Sequence, residues 1–366
     1  MTELSKSEGE IYSLRKEKEA AVRNSILPSF PTYYENTTNA SEIISLHTNL
    51  EDGEKTEIST SVRGRIVNIR SFGKLIFMDL KDFSGKIQLV ISKEELPEEL
   101  IKYVENYDVG DIIGVSGTIM KTKKGEISIK VTESVLLSKS LRNFPEKWHG
   151  LKDKETRFRQ RYLDFLVNEE ANKTIQTRFQ VIKLIREFMD SKQFLEVETP
   201  TLQPKAGGAI ARPFTTHHNA MSIDMFLRIA PELYLKRLII GGFERVYEIG
   251  KVFRNEGIDM THSPEFTMME SYQAYTNVDG VMDMVEEMCK YVLSVLNIET
   301  EIEYIETKAD FSFPWKRISM FELVNNKFNL NIDFDSDLKS MLHTLEDKHG
   351  LNYNSESIGS LVFELF

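Results

Sequence analysis

The amino-acid sequence predicts an α+β protein with two domains in succession along the chain. Its length of 366 residues exceeds that of a typical domain with a single hydrophobic core. Residues 59–137 alternate between apolar and polar side chains, as short strands do. From Lys173 onward, apolar residues recur every three or four positions in long stretches, with strand-like runs between them. Because these lack regular βαβ alternation, they favour an antiparallel sheet with flanking helices.

The first 58 residues predict a helical N-terminal appendage. Residues 1–22 are charged throughout and predict a helix, which Pro28 and Pro31 end. We expect this segment to be loosely packed. The charged start lacks the apolar core of a secretory signal.

Residues 59–142 predict a small Greek-key barrel of the OB type. Five short strands follow at near-even spacing, with a helical insert, "KEELPEELIKYVENY", between the third and the fourth. A generic β domain is the alternative. The placement of the helix and the lysine-rich turn at Lys121, Lys123 and Lys124 favour the OB type.

Residues 143–172 predict a connector that joins the barrel to a second domain, residues 173–366. Pro145 and Gly150 interrupt the connector. A helix then carries three arginines, which contact phosphates or form a solvated helix face: Arg157, Arg159 and Arg161. In the second domain, "FLEVETP" predicts a strand that ends at Pro200, and a helix is expected from Val278 to Leu296.

The composition excludes several classes of protein. The 41% hydrophobic and 28% charged residues are typical of a soluble globular protein, and no apolar run is long enough to span a bilayer. Cys289 is the only cysteine, which excludes an internal disulfide and a multi-cysteine zinc site and fits a reducing cytosol. We therefore expect a cytoplasmic protein without membrane contact. The net charge of −11 argues against general nucleic-acid coating.

The stretch "KVFRNEGIDMTHSPEFTMMESY" carries unusually many polar groups at matched spacing. Since side chains alternate along a strand, Arg254 and Glu256 are expected on one face, and Phe266, Glu270 and Tyr272 on one face of the next strand. An arginine fork suits a phosphate or carboxylate, and a phenyl ring suits a flat base. The stretch therefore predicts a nucleotide site, with a cross-strand Arg–Glu pair over a core aromatic as the alternative.

The pattern "FRNEG", then "H.PEFT..E.Y", resembles motif 2 of class II aminoacyl-tRNA synthetases, in the form of the bacterial-type lysyl-tRNA synthetase family. "GLKDKETRFRQRYLD", "FLEVETPTLQPKAGGAIARPFTTHHNA" and "LRIAPELYLKRLIIGGFERVYEIGKVFRNEG" are similar to the same family. The resemblance extends from about Arg63 to the C-terminus. It implies a lysine–tRNA ligase that uses ATP and Mg²⁺ to form lysyl-adenylate from L-lysine and transfers the lysyl group to tRNA(Lys).

The resemblance also implies roles for individual residues. Arg254 is the implied catalytic residue, which contacts the α-phosphate of ATP and the lysine carboxylate. The other implied ATP contacts are Asn255, Glu256, His262, Ser263 and Phe266. The implied lysine-binding residues are Gly208, Glu232, Glu270 and Tyr272. Glu232 is expected at the α-ammonium group, and the Glu270–Tyr272 pair at the ε-ammonium group.

The barrel is implied to bind the U-rich anticodon through Phe77, Gln88 and Glu126. Spacing alone leaves a barrel-core position for Phe77 as an equal alternative. The strand "FLEVETP" resembles motif 1, which implies a homodimer interface around Pro200; a buried core strand is the alternative, and both can hold.

The sequence departs from this family at its end. The family continues with motif 3, a second ATP-binding arginine and the residues that complete its lysine and magnesium sites, and no substitute follows Arg317. The metal ligands of the family would lie beyond residue 366. The chain ends inside an apolar helical pattern: Ile358, Leu361, Val362 and Leu365. We expect a C-terminally truncated member of the family, weakly active or inactive, that exposes apolar surface.

Two alternatives remain open. The chain is a non-catalytic tRNA-binding and dimerising fragment or paralogue, or it is an aspartate or asparagine enzyme of the same subclass. The Glu270–Tyr272 pair and the run "GGAIARPF" argue against the second, since an aspartate-specific pocket needs a cation at that place.

Overall fold

The computed structural model describes residues 6–35, 37–142, 151, 153–259, 261–304 and 307–366. The chain divides into two compact units, Met1–Asn172 and Lys173–Phe366. Most of the first part of the predicted connector, including Pro145 and Gly150, lies outside the described residues. In the part of the chain that is described, no helix is both long and apolar enough to cross a membrane.

The first unit contains a closed β-barrel, as the strand pattern predicted. After two helices, α1 and α2, the barrel strands follow with one helix, α3, between the third and the fourth. Their bounds are α1 Lys6–Arg23, α2 Ala40–Leu46, β1 Lys55–Phe72, β2 Leu75–Lys81, β3 Lys86–Ser92, α3 Glu98–Val104, β4 Ile112–Lys121 and β5 Ile127–Ser138. The spatial order is β1-β2-β3-β5-β4, with a parallel pairing between β3 and β5.

The N-terminal segment packs against the barrel, so the expectation of loose packing was wrong. Val22, Ala40 and Ile43 are buried in the same core as the barrel strands. The Arg15 guanidinium donates hydrogen bonds of 2.8 and 2.9 Å to the carbonyls of Ser140 and Arg142. Burial of these apolar side chains stabilises the segment despite the two prolines.

The predicted arginine helix is present as two short helices, α4 Lys154–Arg159 and α5 Arg161–Val167. Asp164 is fully buried. Its carboxylate accepts a hydrogen bond of 2.9 Å from Arg157 and forms an ion pair with Arg161. Arg159 pairs with the exposed Glu155. Arg157 and Arg161 therefore neutralise a buried carboxylate.

The second unit contains two small sheets flanked by long helices. Its first elements are α6 Glu169–Ser191, β6 Leu195–Glu196, β7 Leu202–Gln203, β8 Thr215–His218, β9 Ile223–Leu227, α7 Glu232–Ile240, β10 Arg245–Phe253, β11 Glu265–Gln273 and α8 Val278–Leu296. One sheet has the order β11-β10-β6 and the other β7-β9-β8. The β10–β11 pair is antiparallel, whereas β6 is parallel to β10. The predicted strand "FLEVETP" is shorter than expected, since only Leu195 and Glu196 pair with β10.

The C-terminal part forms a core of its own. It comprises the hairpin β12 Glu301–Tyr304 and β13 Thr307–Asp310, then α9 Met320–Phe328, α10 Leu338–His349 and α11 Ile358–Leu365. The apolar side chains of α11 are buried in this core together with Val324 and Leu345; those of α11 are Ile358, Leu361, Val362 and Leu365.

Candidate functional site

The strands β10 and β11 form the predicted hairpin. Phe266 lies opposite Val252, Glu270 opposite Glu248, and Tyr272 opposite Val246. Positions 266, 270 and 272 are separated by even numbers within one regular strand, so their side chains share a face, as the alternation predicted.

The prediction for Arg254 and Glu256 was wrong in its geometry. The strand β10 ends at Phe253, and the amide of Glu256 donates a 2.9 Å hydrogen bond to the carbonyl of Arg254. This turn replaces strand alternation. The amide of the intervening Asn255 donates to the carbonyl of Arg212 at 2.7 Å, so its partner lies outside the β10–β11 pair.

Arg254 lies against the aromatic ring that the sequence placed beside it. The guanidinium carbon is 5.2 Å from the centroid of Phe266, and the backbone amide of Arg254 donates to Pro264 at 2.8 Å. Its Nε is buried without a hydrogen-bond partner among the described residues. A buried unpaired donor costs about 1–3 kcal/mol, which an anionic ligand accepting from Nε would offset.

The loop between the strands is organised by Asp259. Its carboxylate accepts from the amides of Thr261 and His262 at 2.7 and 2.8 Å, and His262 Nδ1 is 2.7 Å from Oδ2. These hydrogen bonds lower the pKa of Asp259, and the one from the Thr261 amide contributes most. His262 and Ser263 are exposed, as are Asn255 and Glu256. Sequence reasoning missed this role of Asp259.

Carboxylates gather around Glu270. Burial raises the pKa of Glu270, and the negative charges of Glu232 and Glu248 raise it further, against a lowering by the Tyr272 hydroxyl and Lys236. Tyr272 donates to Glu270 Oε2 at 3.4 Å, and burial and the charge of Glu270 raise the tyrosine pKa. Glu232 is paired with Lys236 and Glu248 with Arg228, whereas Glu270 forms no ion pair with a residue that the structure describes. One carboxylate is therefore left without a cation, which favours a cationic ligand.

Gly208 and Glu232 are brought together, as the resemblance implied. Gly208 has φ of +91°, and a Cβ added there would lie 2.9 Å from the Cβ of Glu232 and 3.1 Å from that of Ala230. Glu232 begins α7 and forms a 2.5 Å ion pair with Lys236 one turn later. A side chain at position 208 would therefore crowd this carboxylate.

A buried ion pair lies on the same face of the hairpin as Glu270, since Glu248 is directly opposite Glu270, and sequence reasoning missed it. Arg228 and Glu248 pair with side-chain exposures of 5% and 4%. Thr199 Oγ1 donates to Glu248 Oε2 at 2.6 Å, and Arg228 Nε donates to the carbonyl of Lys251 at 2.8 Å. The three residues are far apart in sequence. The one local signal is Gly250, where a Cβ would lie 2.2 Å from Arg228 Nη2.

The three predicted anticodon residues line one groove on the barrel, with a volume of about 490 Å³. Gln88 Nε2 donates to Glu126 Oε2 at 2.6 Å, and Ser128 Oγ donates to Gln88 Oε1 at 3.1 Å. Phe77 lies on the groove side of β2, whereas its neighbours Ile76 and Met78 fill the core. The barrel-core alternative for Phe77 is therefore wrong.

The residues that the structure describes contain no group of three or more His, Cys, Asp or Glu side chains placed to hold a metal ion.

Two family models match the chain. Residues 153–355 match "tRNA synthetases class II (D, K and N)", and residues 60–137 match "OB-fold nucleic acid binding domain". The fold is therefore that of a class II tRNA synthetase with an OB-fold domain.

Curated relatives identify the family more closely. The chain is 51% identical over 304 residues to a lysine–tRNA ligase of Clostridium tetani, covering 83% of this chain and 59% of the relative. It is 52% identical over 277 residues to one of Clostridium novyi, covering 76% and 54%. It is 45% identical over 353 residues to one of Dehalococcoides mccartyi, covering 96% and 71%. The chain belongs to the lysine–tRNA ligase family. It spans little more than half the length of the two Clostridium relatives.

Proposed function

We propose that the chain functions as a lysine–tRNA ligase. Such an enzyme activates L-lysine with ATP and transfers the lysyl group to tRNA(Lys). The observation that carries this proposal is the excess of negative charge around Glu270. Glu232 and Glu248 raise its pKa, so an added cation relieves their mutual repulsion. Lysine is the amino acid whose two ammonium groups match this arrangement.

In this proposal the residues act by position and charge. Glu270 and Tyr272 bind the ε-ammonium group, and Glu232 binds the α-ammonium group beside the backbone of Gly208. Arg254 contacts the α-phosphate and the lysine carboxylate, and its unpaired buried Nε supports this role. A carboxylate oxygen of lysine attacks the α-phosphorus and forms a new P–O bond. The bond between the α-phosphorus and the α–β bridging oxygen breaks, and pyrophosphate leaves with that oxygen and its electron pair.

ATP would be held by the hairpin and its loop. Phe266 stacks on adenine, and the remaining contacts come from exposed residues of the loop: Asn255, Glu256, His262 and Ser263. Magnesium would arrive as the MgATP complex, coordinated by phosphate oxygens and water, a coordination that Mg²⁺ favours.

The transfer step requires tRNA recognition, for which we propose the groove of the barrel. Phe77 stacks on a base, while Gln88 and Glu126 contact its edge. We also propose a homodimer around Pro200, supported by the exposed apolar side chains of Leu195 and Leu202, 52% and 45% exposed. The single cysteine supports a cytoplasmic location.

A Glu270→Gln change tests the lysine assignment. Removing one partner of a partly buried charge pair costs about 2–5 kcal/mol, so lysine affinity should fall roughly 30-fold or more. ATP affinity should change little. The measurement is titration calorimetry, in which lysine, norleucine and ATP are each bound to the 366-residue chain.

Glu265→Gln is the matched control, since Glu265 is on the same strand but is half-exposed and pairs with Lys251 at 3.1 Å. Equal losses for lysine and ATP in Glu270→Gln would overturn the ε-ammonium assignment. RNA binding without any lysine binding by the unaltered chain would instead support the alternative, a non-catalytic tRNA-binding fragment or paralogue.

A further inference from the structure

The groove on the barrel contains a second exposed aromatic ring. Phe72 lines it together with Phe77, and the two ring centroids are 6.1 Å apart with an interplanar angle of 69°. Phe72 is 65% exposed. Single exposed apolar side chains are common on protein surfaces, but this ring lies in a groove beside a residue proposed to stack on a base.

The backbone fixes the position of Phe72. It is the last residue of β1 and pairs with Leu75 of β2 across the two-residue turn Gly73–Lys74. Gly73 has φ of +58°, which a tight turn between twisted strands requires. The ring is therefore carried by paired strand backbone, which limits the entropy lost when it contacts a ligand.

Two lysines also line this groove. Lys123 and Lys124 belong to the turn between β4 and β5 and line the groove, and neither forms an ion pair with a residue that the structure describes. The nearby Lys121 differs, since it donates to the carbonyl of Leu50 at 2.8 Å and pairs with Asp52 at 3.4 Å. Arg70 is likewise paired, with Asp79 at 2.8 Å.

We propose that Phe72 is a second base-stacking platform, so that the barrel holds two successive unpaired bases, one on Phe72 and one on Phe77. The inference rests on the proposed RNA-binding function of the groove. Lys123 and Lys124 contact the phosphates of this dinucleotide. Since the two rings are steeply inclined to each other, the two bases are splayed rather than stacked on one another, as is common for recognised single-stranded RNA.

A thermodynamic cycle between protein and RNA tests this proposal. The RNA is a U-rich seven-base hairpin loop, in which each loop base in turn is replaced by an abasic nucleotide, and the protein is the full chain with and without Phe72→Ala. Base–aromatic stacking contributes about 1–3 kcal/mol, so Phe72→Ala should weaken binding of the intact loop about 5- to 100-fold. At one loop position next to the Phe77 base, the abasic change should cost the same factor in the unaltered protein and nothing in Phe72→Ala.

Phe83→Ala is the matched control, because Phe83 is 80% exposed on the same barrel and does not line the groove. It should leave affinity unchanged, and Phe72→Trp should retain tight binding. If Phe77→Ala weakens binding while Phe72→Ala does not, the second platform is refuted and the RNA-binding groove stands. If neither change affects binding, both the inference and the proposed role of the groove are refuted.

Discussion

Replacing Arg228 with methionine should loosen the hairpin that carries the site. Arg228 and Glu248 are only 5% and 4% exposed, so the change leaves a buried carboxylate with the Thr199 hydroxyl as its remaining partner. Breaking a buried ion pair from one side costs about 3–5 kcal/mol. The hydrogen bond from Arg228 Nε to the carbonyl of Lys251 is lost as well.

Hydrogen–deuterium exchange of peptides covering β10 measures this loss, because it reports local stability in a chain whose two units need not unfold together. Every 1.4 kcal/mol is a factor of ten, so exchange should accelerate about 100-fold or more. The control is Lys251→Met on the same strand, which removes an exposed pair with Glu265 and should cost less than about 1 kcal/mol.

A double change, Arg228→Met with Glu248→Leu, identifies the cause. If the loss comes from an unpaired buried charge, the double variant should regain most of the protection, since apolar replacements of buried pairs are often neutral or stabilising. Protection in Arg228→Met equal to that in Lys251→Met would refute the reasoning. So would a double variant no better protected than the single one.

Two further outcomes are expected. Burial and neighbouring carboxylates raise the pKa of Glu270, so its carboxylate is protonated at pH values above the ordinary glutamate pKa of 4.5. Lysine affinity should therefore fall as the pH drops through that window, by up to about tenfold per pH unit. Titration calorimetry across that range should show no such dependence in Glu270→Gln. Gly208→Ala should weaken lysine binding and cost about 1–2 kcal/mol, since φ is +91° and the new Cβ would press on Glu232. Gly257→Ala, which meets open space, is the control, and equal effects of the two changes on affinity would contradict the assignment.

The sequence was sufficient where a local period decides the structure. Alternation along β11 predicted that Phe266, Glu270 and Tyr272 share a face, and the register with β10 bears this out. The barrel strands were located from the same period and from the turns between them. The helix α8 was predicted with its observed bounds, because Asn277 caps its start and Asn297 adopts the left-handed conformation that ends it.

Tertiary contacts account for what was missed. The segment around Arg254 is strand-like in sequence, but hydrogen bonding of Asn255 to Arg212 turns it out of the sheet. Two prolines suggested loose packing near the N-terminus, but a single sequence does not reveal that Val22 and Ala40 complete the core of the barrel. The pair of Arg228 and Glu248 joins positions that no sequence period connects.

The hydrogen bond between Gln88 and Glu126 has a consequence for how a base is chosen. In the free barrel these side chains already satisfy one another at 2.6 Å, with Ser128 holding the other end of the amide. An incoming base must displace that bond before it gains its own. A base whose edge offers both an acceptor for Gln88 and a donor for Glu126 restores two bonds, whereas one lacking either leaves a polar group unpaired. In the proposed RNA-binding role of this groove, a base is therefore selected by whether it replaces the internal hydrogen bond between Gln88 and Glu126.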